Sequence, residues 1–409
     1  MKRILDLILL FTVLLMAGCN GSTASSEGDL EQKTFTPDYA GGFTIKNVKK
    51  FEDFSKISAD SSKIAPATDS LATENFEKIS LSTLISVTNP WQGATNVEQN
   101  LLLLRGEETA PRGFEGQIVH APVQRVVCMS STHIAMFDAI GEADRIVGVS
   151  GLDYVSSPTI NQRRAEGKVK EIGFDTNIDF ELIASLHPDL MLLFGITGEN
   201  SVVTGKLREL GIPYIYIGDY VEESPLGKAE WMVLIAELCD KRAEGIEIFR
   251  GIADRYNRLK EEIAQEPTAK RPKVMLNTPY RDTWFMPSSK SYMIRLVEDA
   301  GGAYVYRNDE NYSVSIDLEE AYVLAHAADV WINTGMYNTM DELKTQNPKF
   351  AEVPSVKNLR VWNSNRRQTP MGGSDFWESG VVRPDLVLRD LRAIFTQNGD
   401  STTYYQPLR

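Results

Sequence analysis

Four short, uninterrupted apolar runs constrain this chain more than any other feature: residues 125–129 (RVVCM), 145–149 (RIVGV), 190–194 (LMLLF) and 214–217 (YIYI). A strand with one wet face alternates apolar and polar residues, whereas a continuous run marks a strand covered on both faces, as in a parallel sheet flanked by helices. Helical segments predicted at 132–140, 179–186 and 202–210 fall between the runs, so the connections are strand–helix–strand. Two helices then follow without a strand between them, 226–239 and 241–265. In the second, Phe249, Ile252, Tyr256, Leu259 and Ile263 recur at spacings of three and four, a single apolar stripe on a helix about 37 Å long.

After Pro267 and Pro272 a second strand–helix series begins: 273–276 (KVML), 292–299, 303–306, 318–325, 330–333 (VWIN), 360–362 and 384–395. The two series are related. Ile178-Asp179-Phe180-Glu181 leads through a helix to His187-Pro188-Asp189, the run LMLLF and Gly195; Ile316-Asp317-Leu318-Glu319 leads likewise to His326-Ala327-Ala328-Asp329, the run VWIN and Gly335. The unit thus occurs twice, about 140 residues apart. Each copy ends in a glycine at the carboxyl end of a buried strand, where open parallel sheets bind ligands, and two such edges facing across a bridging helix make a cleft.

Strands are also predicted in 35–48 and 81–104, with Pro90 and Gly93 as turn residues, separated by a Ser/Ala/Asp/Lys-rich stretch at 49–80 read as a partly disordered insertion. The expected fold is therefore α/β: two lobes, each with a central, mostly parallel sheet flanked by helices, joined by one long helix, plus an N-terminal β extension. The divisions read as 35–121 for the extension, 122–224 and 267–409 for the lobes, and 225–266 for the helical connection.

The amino terminus says where such a chain works. Lys2 and Arg3, a short apolar stretch and Leu15-Met16-Ala17-Gly18-Cys19 form a lipoprotein signal peptide over 1–18, with cleavage leaving Cys19 first and lipid-modified. Residues 19–34, with NGSTASSEGD at 20–29, suit a flexible tether, and the absence of acidic residues from Asn20 to Ser26 favours an anchor facing the periplasm, the cell surface being the alternative. Removing 1–18 takes away a net +1 and leaves a formal charge of −14, which argues against nucleic acid as a partner. The other two cysteines, Cys128 and Cys239, sit in apolar segments and read as buried free thiols, with a single bridge between them as the alternative.

The runs RVVCMSSTHIAMFDAIGEADRIVGVS (125–150), GFDTNIDFELIASLHPDLMLL (173–193) and LVEDAGGAYVY (296–306) resemble class III periplasmic binding proteins, which serve uptake transporters for ferric siderophores, haem and vitamin B12. The ending GGSDFWESGVVRPDLVLRDL (372–391) resembles the branch of that family found in Bacteroidetes. The resemblance implies a monomeric carrier with no cofactor of its own, which captures an iron chelate or, alternatively, a corrinoid and delivers it to an ABC permease and its ATPase. It also implies docking by one acidic residue on each lobe: Glu298 matches the second-lobe position, whereas His133 occupies the first-lobe one.

Aromatic residues concentrate near the predicted cleft edges: Tyr154 and Phe174 in the first lobe, Tyr280, Trp284, Tyr312 and Trp377 in the second. Flat rings supply contact area against chelates or macrocycles while their polar tips stay wet. Phe174 leads, because family members carry an aromatic just after the matching glycine. Arg281, Arg366 and Arg367 follow second-lobe strands and could pair anionic ligand oxygens. Ferrichrome-type members have an arginine where this chain has Asp175, which disfavours a hydroxamate. Two other classes are weak. Only four histidines are present, too few and too dispersed for a transition-metal carrier. A hydrolase could use Ser130 or Ser131 with His133, but no nucleophile elbow, phosphate loop or zinc helix motif accompanies them.

Overall fold

The computed structural model describes residues 34–48, 82–174, 177–268, 271–398 and 401–409. The predicted signal peptide, Cys19, the 49–80 insertion and Asp175 lie outside them. The amino-terminal sheet comprises β1 (Thr34–Phe35), β2 (Phe43–Asn47), β3 (Thr83–Thr88), β4 (Glu98–Leu104) and β5 (Gln117–His120), side by side in chain order. Neighbours are antiparallel except β5, which runs parallel to β4. Leu101 and Leu103 join the main core with Phe43, Ile45, Ile85 and Val87, while Leu102 and Leu104 pack on the other face with Val48, Leu84 and Phe114. Burial on both faces is why β4 ends in an unbroken leucine run.

The first lobe follows as β6 (Val126–Cys128), α1 (Ser131–Ala139), β7 (Ile146–Val149), α2 (Pro158–Ala165), β8 (Lys170–Glu171), α3 (Phe180–Ser185), β9 (Leu190–Leu193), α4 (Ser201–Leu210) and β10 (Tyr214–Tyr216). Its sheet has the order β10-β9-β6-β7-β8 and is parallel throughout. Helix α2 and strand β8 were not foreseen. In PTINQRRA only Ile160 is buried, so α2 carries no apolar stripe to detect; its sequence signal is the Ser157 cap followed by Pro158.

The connection begins with α5 (Pro225–Glu230) and α6 (Met232–Leu238), which interrupt at Trp231 the single helix expected there. Helix α7 (Arg242–Ala264) is the bridge: 23 residues, about 34 Å, with Phe249, Ile252, Ala253, Tyr256 and Ile263 buried. The second lobe runs β11 (Lys273–Leu276), β12 (Thr283–Met286), α8 (Tyr292–Asp299), β13 (Ala303–Tyr304), β14 (Val314–Asp317), α9 (Leu318–Ala327), β15 (Val330–Ile332), α10 (Met340–Gln346), α11 (Pro354–Lys357), β16 (Val361–Asn363), α12 (Ser379–Val382), α13 (Pro384–Phe395) and β17 (Gln406–Pro407). Its sheet, β13-β11-β15-β16-β17, is parallel but for β17 on the edge, and β12 pairs with β14 separately.

The repeated sequence unit has a structural cause in both lobes. Asp179 and Asp317 cap α3 and α9, each Oδ1 accepting an N–H three residues on, at 2.8 Å. Asp189 and Asp329 then tie the following strand to its neighbour: Asp189 Oδ2 accepts the Arg125 N–H at 2.9 Å, and Asp329 Oδ2 accepts the Lys273 N–H at 2.8 Å. Each acidic residue satisfies backbone donors that a helix or strand terminus leaves unpaired.

One contiguous core runs from the inner face of the amino-terminal sheet through α6 and α7 to the second-lobe sheet and α13. Cys128 and Cys239 lie within it as free thiols, and burial pushes both up, Cys239 to about 12. A second tie between the lobes was not foreseen. The loop at 364–378 crosses to the first lobe, where Thr369 Oγ1 donates to the Asp153 carbonyl at 3.0 Å. Glu378 accepts the N–H groups of Ser156 and Ser157, both at 2.7 Å.

Candidate functional site

The carboxyl ends of β6, β7, β9 and β10 open onto a cavity of about 480 Å³ lined by Met129, Ser150, Phe174, Leu193, Phe194 and Ile196, with Ile178, Val203, Tyr216 and the loop 197–200 completing it. Phe174 is 63% exposed and Ile196 50%, although both are large and apolar, so the described residues leave both side chains uncovered. Strand β9 stops at Leu193, one residue earlier than the apolar run suggests, which releases Phe194 into the wall. Glu199 is the one charged residue among the described residues of this lining, and it is already engaged: its Oε1 accepts from Thr204 Oγ1 at 2.6 Å and pairs with Arg208 at 3.0 Å. Tyr216 accepts the Asn200 N–H at 3.0 Å, and burial raises its hydroxyl to about 12, so this phenol stays protonated and the ion-paired Glu199 is the wall's one charge among the described residues.

Tyr154 adjoins this wall. A methyl group placed on Gly151 would lie 3.5 Å from the Tyr154 ring and 3.7 Å from that of Phe174, so the two rings flank one turn. The backbone of Tyr154 meets the crossing loop: a Cβ on Gly373 would fall 1.9 Å from the Tyr154 carbonyl oxygen, which only glycine avoids. Beside this contact a second cavity, about 530 Å³, is lined by Asp153, Arg164, Arg367, Gln368 and Met371.

In the second lobe, Tyr280 and Arg281 form a tight turn after β11. The Tyr280 N–H donates to Thr283 O at 2.8 Å, Arg281 adopts φ +56°, and its guanidinium carbon lies 5.3 Å from the Tyr280 ring centre. Tyr280 is exposed, as is Met336 in the loop after β15. Tyr312 is exposed too, but leads into β14 at the end of the β12–β14 pair opposite Tyr280. Trp377 is half-exposed, its ring edge-on to Phe376 at 4.7 Å within the crossing loop.

Three expectations need correction. Trp284 is fully buried on β12, its Nε1–H donating to Leu276 O at 2.9 Å, so it is a core residue rather than a ligand contact. Arg366 donates to Thr402 Oγ1 at 3.0 Å and lines a groove with Leu359, Trp362 and Arg409 on the outer edge of the second-lobe sheet. His133 has no exposed surface and neither ring nitrogen has a hydrogen-bond partner, so it cannot meet a docking partner at the surface. Glu298, by contrast, is exposed on α8. Nor does His133 pair with a serine: Ser130 Oγ caps α1 and lies 3.0 Å from Thr132 Oγ1.

Beneath the first-lobe edge, Lys228 Nζ donates to the Asp219 carbonyl at 2.6 Å and sits 4.8 Å above the Tyr292 ring. Burial lowers the lysine and raises the aspartate. This cluster joins α5 and the end of β10 to α8 of the second lobe. Sequence reasoning missed Phe194, Ile196 and Met129; the available signal was a strand run ending in an aromatic and followed by two glycines, Gly195 and Gly198.

Comparison with known proteins gives a consistent result. The family model described as periplasmic binding protein matches residues 126–364. An uncharacterized lipoprotein of Methanocaldococcus jannaschii is 28% identical over 313 residues, 72% of either chain. A periplasmic haem-binding protein from Pseudomonas aeruginosa shares the fold with a TM-score of 0.54 at 17% identity, over 70% of this chain and 98% of that one. A possible iron-binding, periplasmic solute-binding protein from Staphylococcus epidermidis does so with a TM-score of 0.50 at 19% identity, over 67% and 98%.

Proposed function

The chain belongs to the periplasmic binding protein family, in its class III group, and on that footing we propose that it captures an iron chelate between its lobes and delivers it to an ABC-type permease. The observation that carries this reading is the apolar wall at the carboxyl edge of the first-lobe sheet, where Phe174, Phe194 and Ile196 stand uncovered. Burying such surface yields about 25 cal/mol per Å² of apolar area, so a broad flat ligand gains most there. A triply anionic catecholate complex finds no basic residue in that wall. Haem therefore fits best among iron chelates, and Arg281, at the turn after β11 in the second lobe, is the residue proposed to meet an anionic edge. The same apolar character favours a corrinoid as the second reading. Lipid on Cys19 would hold the carrier at the membrane beside its permease, and Glu298 remains the one exposed docking residue of the expected pair.

The test is equilibrium dialysis of the mature chain, carrying Cys19→Ser, against haem, cobalamin and a panel of ferric siderophores. Saturable haem binding, weakened at least tenfold by Phe174→Ala, is the expected result. Binding of cobalamin alone selects the second reading, and failure of every ligand removes the proposal.

A further inference from the structure

The amino-terminal sheet lies outside the span matched by the family model, yet its β3–β4 turn reaches the ligand wall. Trp91, in that turn, packs directly on Gly195: a Cβ there would come within 3.0 Å of Trp91 Cβ and Cε3. The neighbouring Gln92 N–H donates to the Ile196 carbonyl at 3.0 Å. The Trp91 ring stands edge-on to Tyr216 with centroids 5.2 Å apart, and Tyr216 in turn accepts the Asn200 N–H at 3.0 Å. Gln99 of β4 completes the brace, its Oε1 accepting the Tyr216 N–H at 3.1 Å.

The loop 194–200 is thus gripped from outside at Gly195, Ile196 and, through Tyr216, Asn200. It needs such a grip. Two of its residues are glycines, two are large apolar side chains turned toward solvent, and a loop of that composition loses much conformational entropy when it takes up one shape. We infer that Trp91 is a positioning residue for the ligand site, and that the β extension exists in part to pre-form the first-lobe wall. This rests on the proposed function, since it assigns the loop to the wall that holds the ligand. The rival account is that the sheet merely covers the open edge of β10, which the Gln99 bond also does.

The two accounts differ in what Trp91→Ala changes. In the ligand-free protein, hydrogen exchange should quicken far more in the 194–201 peptide than in the β9 and β10 amides, beyond what the lost Trp91–Tyr216 packing takes from the melting temperature. Toward whichever chelate the native protein binds, the variant should lose about tenfold in affinity, mainly through slower association, because the loop must now order on binding. Trp91→Phe should restore most of it. If exchange in the loop is unchanged, or if exchange quickens equally across β9 and β10 with a fall in melting temperature, the positioning role is wrong. Failure of the native protein to bind any chelate sinks the proposed function instead, and the ligand-free exchange measurement still decides the role of Trp91.

Discussion

At the residue scale the contrast between Trp284 and Phe285 is instructive. Both stand in a four-residue strand, TWFM, too short for alternation to show which ring faces inward. The choice falls to Trp284 because its indole N–H finds the Leu276 carbonyl, whereas Phe285 is left 47% exposed. Trp284→Ala should therefore destabilise by roughly 3–5 kcal/mol, and Phe285→Ala by less than about 1 kcal/mol, in urea unfolding. His133 makes a pH prediction. Burial holds its ring at about 3, below the ordinary 6.5, so folding requires the neutral form. Stability from this residue is complete above pH 6.5 and is lost as pH falls through 3, by on the order of 5 kcal/mol at full protonation. In His133→Leu, acid unfolding should begin at distinctly lower pH; an unchanged acid limb would show that the ring is not confined as described.

At the element scale the sequence motif GGSDFWESG turns out to be a clasp. Its residues lead from β16 to α12, which packs on α1 of the other lobe, and Glu378 caps the start of α2 across the gap. Burial, with Asp375 and Asp138 adding to it, raises the Glu378 carboxyl to about 7. A raised acid favours the folded state where it is protonated. The clasp is therefore strongest near pH 4.5 and loosens as pH rises through 7, by on the order of 3 kcal/mol once ionised. Melting temperatures measured from pH 5 to 8 should decline in the native chain and flatten in Glu378→Gln; equal slopes would refute the assignment. The slope is opposite in sign to that from His133, so each variant must be compared with the native chain at every pH. Elements with long apolar periodicity, α7, α8 and α13, were legible beforehand, whereas α2, α12 and the β12–β14 pair were not. Those short elements are held by tertiary partners rather than by a pattern of their own.

At the scale of the whole molecule, the helix α7, the crossing loop and the Lys228–Tyr292 contact between α5 and α8 all restrain the lobes. Closure on ligand should accordingly be small, with a change in radius of gyration under about 1 Å by solution scattering of the free and loaded protein; a larger compaction would mean that the clasp opens. The lipid proposed on Cys19 predicts that Cys19→Ser moves the protein from the detergent phase to the aqueous phase of a membrane extract; an unchanged partition would remove that anchor. By itself the sequence determined the parallel sheets, the bridging helix and the duplicated strand–helix unit. Each of these is written in local periodicity or in short-range caps, which act within a few residues. Only the tertiary structure decided which aromatics are wet, that His133 is sealed inside, that Glu378 joins the lobes, and that Trp91 braces the wall. The last two depend on contacts between segments more than 100 residues apart, and all of them on packing whose free energy is realised only when both surfaces are folded.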